Sequence, residues 1–209
     1  MYKGDAWDQV YMRHLYDAPW MVDACIDIYS HIIDMYLPES LTNLHVLDYG
    51  CGSGKLTYRL KKMGAIVDFA EISHFLIKWL NKEYENCDVG IYEVEHPQQL
   101  EFKEYDIILA WMFFCNIDPE NWDDFLNGFY NILKPGAILI IGGWDKDDLI
   151  NQINNFIIKF TNRQAWPINQ LVEYLGERFE IISDDQVLIN HPFYDQNRAL
   201  RCYKLRKNY

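Results

Sequence analysis

Val46-Leu47-Asp48-Tyr49-Gly50-Cys51-Gly52-Ser53-Gly54 is the stretch on which the reading of this chain turns. A short apolar run carries a carboxylate near its end and passes into three glycines at alternate positions. Glycines at the carboxyl end of a strand let the backbone turn, and let a ligand approach where a side chain would collide. In open α/β sheets that edge is where ligands bind. The spacing is G-x-G-x-G, not the G-x-G-x-x-G that cradles a pyrophosphate, which speaks against a nicotinamide-dependent oxidoreductase on a similar sheet. Asp48, two residues before the first glycine, puts a carboxylate where a cationic ligand group could sit.

Working outward, His45–Tyr49 reads as a strand, and the glycine loop opens a helix with Leu56, Leu60 and Met63 on one face and Gly64 placed to stop it. Ala65–Ala70 reads as the second strand, with Glu71 ending it 17 residues after Gly54. A carboxylate there can accept two hydrogen bonds from a ribose diol, a need shared by any adenosine ligand. Ser73 can cap the next helix, whose stripe is Phe75, Leu76, Trp79 and Leu80. Val89–Val94 reads as a short third strand, and Tyr105–Trp111 is nearly continuous in apolar residues, as a strand covered on both faces should be. Asp118-Pro119 supplies a cap and a first-turn proline for a helix bearing Trp122, Phe125, Leu126 and Phe129. Lys134-Pro135-Gly136 turns into a strand over Ala137–Ile141. Helices around Leu149–Phe160 and Ile168–Leu175 and strands at about Phe179–Ile189 and Ala199–Leu205 complete the pattern.

This alternation predicts a doubly wound, mostly parallel α/β sheet of the Rossmann-like kind with helices on both faces. No linker or repeat divides residues 1–209, so one domain is expected. Within it, residues 1–40 form a helical lid over a ligand cleft, 44–142 the binding core, and 143–209 the closing helices and strands.

The formal net charge of −12 repels phosphate backbones, so a nucleic-acid partner is not expected. Arg198, Arg201, Lys204, Arg206 and Lys207 make the best candidate basic patch, yet their alternation suits an edge strand with charges facing water. The five cysteines (Cys25, Cys51, Cys87, Cys115, Cys202) are odd in number and never fall at metal-binding spacing. Met1-Tyr2-Lys3-Gly4-Asp5 lacks the apolar run of a signal peptide, and no segment approaches membrane-spanning length. A cytoplasmic monomer or homodimer is the expectation. Aromatics, at 16%, fit either a ring-built core or a ring-lined pocket.

Four features in order resemble the motifs of class I S-adenosylmethionine-dependent methyltransferases over about residues 44–142. They are Asp48-x-Gly50-x-Gly52-x-Gly54, Glu71 ending strand two, Tyr105-Asp106-Ile107-Ile108-Leu109 as strand four, and Leu133-Lys134-Pro135-Gly136 before strand five. The resemblance implies a methyl-transferring enzyme on a seven-stranded sheet whose last strand is antiparallel, with S-adenosyl-L-methionine laid across the first two strand ends. It implies that Gly50, Gly52 and Gly54 lie against the methionine part and ribose, that Glu71 binds the ribose hydroxyls and that Ile72 packs against adenine. Family members often carry an Asp after strand three that contacts the adenine amino group; here the place is taken by Glu95 or His96. Asp48, Cys51 and Trp111 complete the candidate cofactor-binding set.

Methyl transfer from a sulfonium is a direct displacement, so it demands proximity and alignment, and a base only when the acceptor's proton is hard to lose. After strand four the chain reads Ala110-Trp111-Met112-Phe113-Phe114-Cys115-Asn116. The Asp/Asn-Pro-Pro-Tyr of amino-nitrogen methylases is missing there, as are a Pro-Cys nucleophile and the carboxylates of metal-dependent catechol methylases. What remains is a small-molecule acceptor methylated at oxygen or nitrogen without metal; oxygen is the expectation, because many oxygen acceptors are already anionic and need no base. The alternatives are a small amine as acceptor, or a catalytically silent methyltransferase-like domain that binds a partner. Tyr11 and His14, in the lid with Trp7, are the candidate catalytic groups. Arg13, Tyr16, Phe113, Trp144 and Tyr194 are the candidate acceptor-binding residues, with His191 a further candidate base. Arg13 could pair with a carboxylate or phosphate of the acceptor, or with the cofactor's methionine carboxylate. Each of these residues also has an ordinary reading, as core packing for the rings and as solvated surface for Arg13 and His14.

Overall fold

The computed structural model describes residues 4–16, 18, 21–146, 165–190 and 197–208. Two helices, α1 (Gly4–His14) and α2 (Asp23–Asp34), precede the first strand. The alternating core follows as β1 (His45–Tyr49), α3 (Lys55–Lys61), β2 (Ile66–Glu71), α4 (His74–Glu83) and β3 (Gly90–Glu93). It continues through β4 (Tyr105–Trp111), α5 (Trp122–Ile132) and β5 (Leu133–Trp144) to β6 (Phe179–Asn190) and β7 (Asn197–Lys207).

Among the described residues the strands form one seven-stranded sheet in the order β3-β2-β1-β4-β5-β7-β6. β1 to β5 pair in parallel, while β7 runs antiparallel to both β5 and β6. The expected antiparallel last strand is thus β7. The chain winds outward from β1 to β3 and then returns to lay β4 on the other side of β1. That reversal makes the carboxyl ends of β1 and β4 the switch point where such sheets open a crevice.

Register decides which side chains meet there. Asp48 is level with Phe69 on β2 and Leu109 on β4. Since side chains alternate along a strand, Asp48, Glu71 and Trp111 share one face of the sheet. The helices before and within the first crossovers cover that face. Tyr29 of α2 lies 5.7 Å from the Trp111 ring, and Thr57 of α3 hydrogen-bonds Asp48. The opposite face is closed by α5, whose Phe129 and Phe125 meet Tyr49 edge-on at 4.9 and 6.3 Å.

Several local signals act as the sequence suggests. The Ser73 hydroxyl accepts from the Leu76 amide at 3.2 Å and caps α4, and Gly64 takes φ +92° just past α3. Others differ. α3 ends at Lys61, so Met63 turns out and is exposed instead of extending the stripe. Asp118 does not cap a helix with its carboxylate, which instead accepts from Trp166 Nε1 at 3.2 Å; a 3₁₀ turn, Pro119–Asn121, leads into α5. β5 begins at Leu133, opposite Tyr105, and Lys134-Pro135-Gly136 bulges out before pairing resumes at Ile138. The helix expected around Ile168–Leu175 is present as a 3₁₀ helix over Ile168–Tyr174. The helix expected at Leu149–Phe160, and with it His191 and Tyr194, lies outside the described residues.

Candidate active site

The loop after β1 is tied down before any ligand arrives. The amides of Gly50 and Cys51 both donate to the Ala70 carbonyl, at 2.9 and 3.2 Å, and the Gly54 amide closes back on the Cys51 carbonyl at 2.9 Å. All three motif glycines hold positive φ. Gly54, at +69°, is also where α3 leaves the loop, and a Cβ there would stand 2.8 Å from Cζ of Phe69. Glycine is therefore needed for backbone and for packing alike. Gly52, at +56°, is different: its nearest neighbours are Met21 Sδ at 3.8 Å and the Tyr11 hydroxyl at 3.9 Å, both from the segment before β1. The space above Gly52 is bounded by side chains of the segment before β1.

Two carboxylates lie beneath this loop. Asp48 is buried and accepts the Thr57 hydroxyl proton at 2.5 Å. Burial pushes its pKa up to about 7; the Thr57 bond works against that, and the charge of Glu71 adds to it. Glu71 is likewise buried, and its two oxygens accept three amides: Gly52 at 3.2 Å, Ile72 at 2.9 Å and Ser73 at 3.2 Å. Its pKa is raised by burial and held back by those three bonds. One carboxylate thus joins the middle glycine to the end of β2 and to the start of α4. Cys51 sits between as a buried thiol, its pKa lifted by burial and by both carboxylates.

The segment before β1 docks on the sheet through α1. Asp8 places one carboxylate oxygen 2.6 Å from the Ser73 hydroxyl and 3.0 Å from the Phe75 amide, at the start of α4. This acid at a helix N-terminus is a favourable pairing of charge with dipole. A Cβ on Gly4 would fall 2.7 Å from the Ile72 carbonyl, so α1 begins against the β2 exit. From there Trp7 and Tyr11 turn inward and are buried, their rings 5.9 Å apart. His14 is half-buried at the last turn, while Arg13 and Tyr16 face solvent. The structure therefore brings Tyr11 to the glycine loop and leaves Arg13 and Tyr16 outside it.

At the β4 exit the Trp111 ring lies over Gly142 of β5, where a Cβ would meet Cζ3 at 2.2 Å. Met112 follows with φ +55°, a conformation rare for a side chain of this kind. Its amide donates to Gly142 O at 2.7 Å and its carbonyl accepts from Asn116 Nδ2 at 2.6 Å. Phe113 turns to the other face, packing 5.0 Å from both Tyr49 and Phe125 and against Gly50. Trp144 is buried at the end of β5. After β3, Val94 rather than Glu95 points inward: Glu95 is exposed, and the His96 ring lies on Phe125 at 4.6 Å with its pKa lowered by burial. The Gln99 carbonyl oxygen accepts the Glu95 and His96 amides at 2.6 and 2.9 Å, which fixes this turn.

Residues 46–136 match the family model described as a methyltransferase domain, the stretch that contains the glycine loop, Glu71 and the β4 exit. That match, with the fold, supports a class I S-adenosylmethionine-dependent methyltransferase. The chain is 22% identical over 226 residues to the tRNA N(3)-methylcytidine methyltransferase trm140 of Schizosaccharomyces pombe, covering 94% of this chain and 71% of that one. A protein of Invertebrate iridescent virus 6 named as a methyltransferase is 29% identical over 122 residues, 56% of this chain and under half (44%) of the viral one. In fold, the chain resembles the N-methyltransferase NodS from Bradyrhizobium japonicum in complex with S-adenosyl-L-homocysteine. The TM-score is 0.69 at 12% identity, over 98% of this chain and 97% of that one.

The cofactor of this methyltransferase is S-adenosylmethionine, and the site's donor set suits it. The backbone at Gly52 is faced by Met21 and Tyr11, a buried carboxylate ends β2, and the Trp111 indole N–H is buried with no hydrogen-bond partner among the described residues. Sequence reasoning missed Asp8, Met21, Tyr29 and the left-handed Met112. Among the described residues no helix is long and apolar enough to cross a membrane.

Proposed function

We propose that this methyltransferase carries the methyl group to an oxygen of a small-molecule acceptor. The observation that carries the reading is the fate of the basic residues of β7. Arg201 pairs with Asp184 of β6 and lies 3.9 Å from buried Asp145, and Arg206 pairs with Glu180 at 3.0 Å. Lys207 donates to the Leu133 carbonyl at 2.7 Å and covers the Tyr130 ring, and Arg198 is buried. Two of the five basic residues of β7, Arg201 and Arg206, are thus paired with acids of β6, which on a chain of net charge −12 weakens the attraction for a phosphate backbone.

Bound S-adenosylmethionine supplies a methyl carbon already activated for displacement. In this reading Glu71 accepts from the ribose hydroxyls, the glycine loop admits the backbone of the ligand, and α1 excludes water by closing over Gly52. Tyr11, with its hydroxyl above the loop, and His14, one helical turn further on, are the groups proposed to orient the acceptor and take its proton. Phe113 braces the loop from below.

A second reading has a specific observation in its favour: the relative matched over nearly all of this chain is named for methylating cytidine in tRNA. Incubation with methyl-labelled S-adenosylmethionine, once with a small-molecule extract and once with total tRNA, separates the two. Label on an oxygen of a small product is the expected outcome. Label on tRNA cytidine would overturn the proposal in favour of the second reading, and a methylated small amine would overturn the choice of oxygen.

A further inference from the structure

Trp111 is 6% exposed, and its indole N–H has no acceptor among the described residues. A buried donor left without a partner is unfavourable, and such groups in a native fold call for an explanation. The surroundings show that the ring is held in place. Gly142 is the residue whose lack of a side chain admits the six-membered ring, with Cζ3, Cε3 and Cη2 all within 2.7 Å of where a Cβ would be. Nε1 lies on the edge of the indole remote from those atoms. Tyr29 of α2 packs against the ring, and the left-handed Met112 fixes the backbone directly after it.

Position says what the donor is for. Extending the β1–β4 register two residues past Asp48 and Leu109 sets Trp111 level with Gly50, on the face shared with Asp48 and Glu71. Glu71, which suits the ribose, stands on the far side of β1 from Trp111. A ligand lying from Glu71 across the glycine loop therefore brings the end opposite its adenine to β4. For S-adenosylmethionine that end is an amino acid, whose carboxylate is the strongest acceptor in the molecule. Arg13, the cation in the lid that could have met it, faces solvent.

We propose that the Trp111 Nε1–H donates a hydrogen bond to the carboxylate of the cofactor's methionine moiety, making Trp111 a cofactor-orienting residue. The inference rests on the reading of this cleft as the cofactor site. It is tested by calorimetric titration of the wild type and Trp111→Phe with S-adenosylhomocysteine and with its decarboxylated form. The phenyl ring retains apolar cover over Gly142 but has no donor. The wild type should bind the decarboxylated ligand about ten- to a hundredfold more weakly, and Trp111→Phe should lose a similar factor for S-adenosylhomocysteine while discriminating little between the two ligands. Equal affinity of the wild type for the two ligands would overturn the inference even if the variant does not fold. So would a variant that still discriminates as the wild type does. A folded wild type that binds neither ligand would overturn the cleft reading itself, and the inference with it.

Discussion

Gly52 and Gly54 are two positions apart in one loop, yet substituting them should have opposite consequences. At Gly54 an alanine meets both a left-handed backbone and the Phe69 ring, with Cζ, Cε2 and Cδ2 at 2.8, 2.9 and 3.3 Å. The backbone costs about 1–2 kcal/mol and overpacking of the core about 1–3 kcal/mol, so Gly54→Ala should lose roughly 2–5 kcal/mol of stability. At Gly52 the new methyl finds only ordinary contacts, at 3.8 and 3.9 Å, and the loss should be the backbone part alone, roughly 1–2 kcal/mol. In a chain of this length each kcal/mol moves the melting temperature by about 2–4 °C. Binding should invert the order. The Gly52 methyl fills the gap towards Met21 and Tyr11 that the proposed cofactor site requires, so S-adenosylhomocysteine affinity should fall at least about tenfold, a change of about 1.4 kcal/mol. Thermal unfolding and calorimetric titration of the two variants measure both quantities. The reasoning is refuted if Gly52→Ala binds within about twofold of the wild type, or if it proves the less stable of the two.

Glu71→Gln keeps the side chain's shape but replaces an acceptor-only carboxylate by an amide with a single acceptor oxygen facing three backbone amides. Charge-assisted bonds are worth about 1.5–3 kcal/mol, so S-adenosylhomocysteine affinity should drop about ten- to a hundredfold, and retention of wild-type affinity in a titration would contradict the role given to Glu71. Asp8→Ala removes the acceptor that holds α1 on the start of α4 and should cost about 1 kcal/mol. Limited proteolysis should then cut within α1 faster than in the wild type, with S-adenosylhomocysteine restoring protection; an unchanged cleavage rate would show that the lid is held by Trp7 and Tyr11 instead.

The parts legible in the sequence are those whose reason is local. Three glycines after an apolar run, a serine one helical turn before Leu76, and a carboxylate ending β2 each specify their structure within a few residues, and the ordered set is what made the family resemblance readable. The parts that were not legible depend on contacts remote in sequence. Asp8 meets Ser73 and Phe75 across 65 and 67 residues, and nothing around Asp8 marks it as different from Asp5. Met112 carries no signal for a left-handed backbone; it is placed there by the Gly142 carbonyl and the Asn116 amide. Asp118-Pro119 has the local form of a helix start, but Trp166 takes the carboxylate. Ile168–Tyr174 has helical spacing, and its tighter winding is a tertiary outcome: the Tyr203 hydroxyl of β7 reaches the carbonyls of Ile168 and Asn169.

Asp48 joins the fold to the cofactor's charge. With its pKa at about 7 in the folded chain and near 4 when unfolded, the native state holds the proton more tightly. The corresponding stability is present in full below pH ~4 and is lost as pH rises through about 7, a difference on the order of 4 kcal/mol at most. Wild-type stability, read from chemical unfolding at pH 5 and pH 8, should therefore fall with rising pH, and Asp48→Asn should remove much of that slope. Glu71, also raised, keeps a remainder in the variant. Among the described residues Asp48 forms no ion pair; Thr57 offers it one hydroxyl. The methionine ammonium and the sulfonium of S-adenosylmethionine are cations that can approach this floor, so the charge that destabilises the empty fold at pH 8 should favour the loaded one. Asp48→Asn should accordingly be the more stable protein at pH 8 and the weaker binder. Identical pH slopes in the two proteins would show that Asp48 is ionised throughout, and the link between a buried acid and a cationic cofactor would not hold.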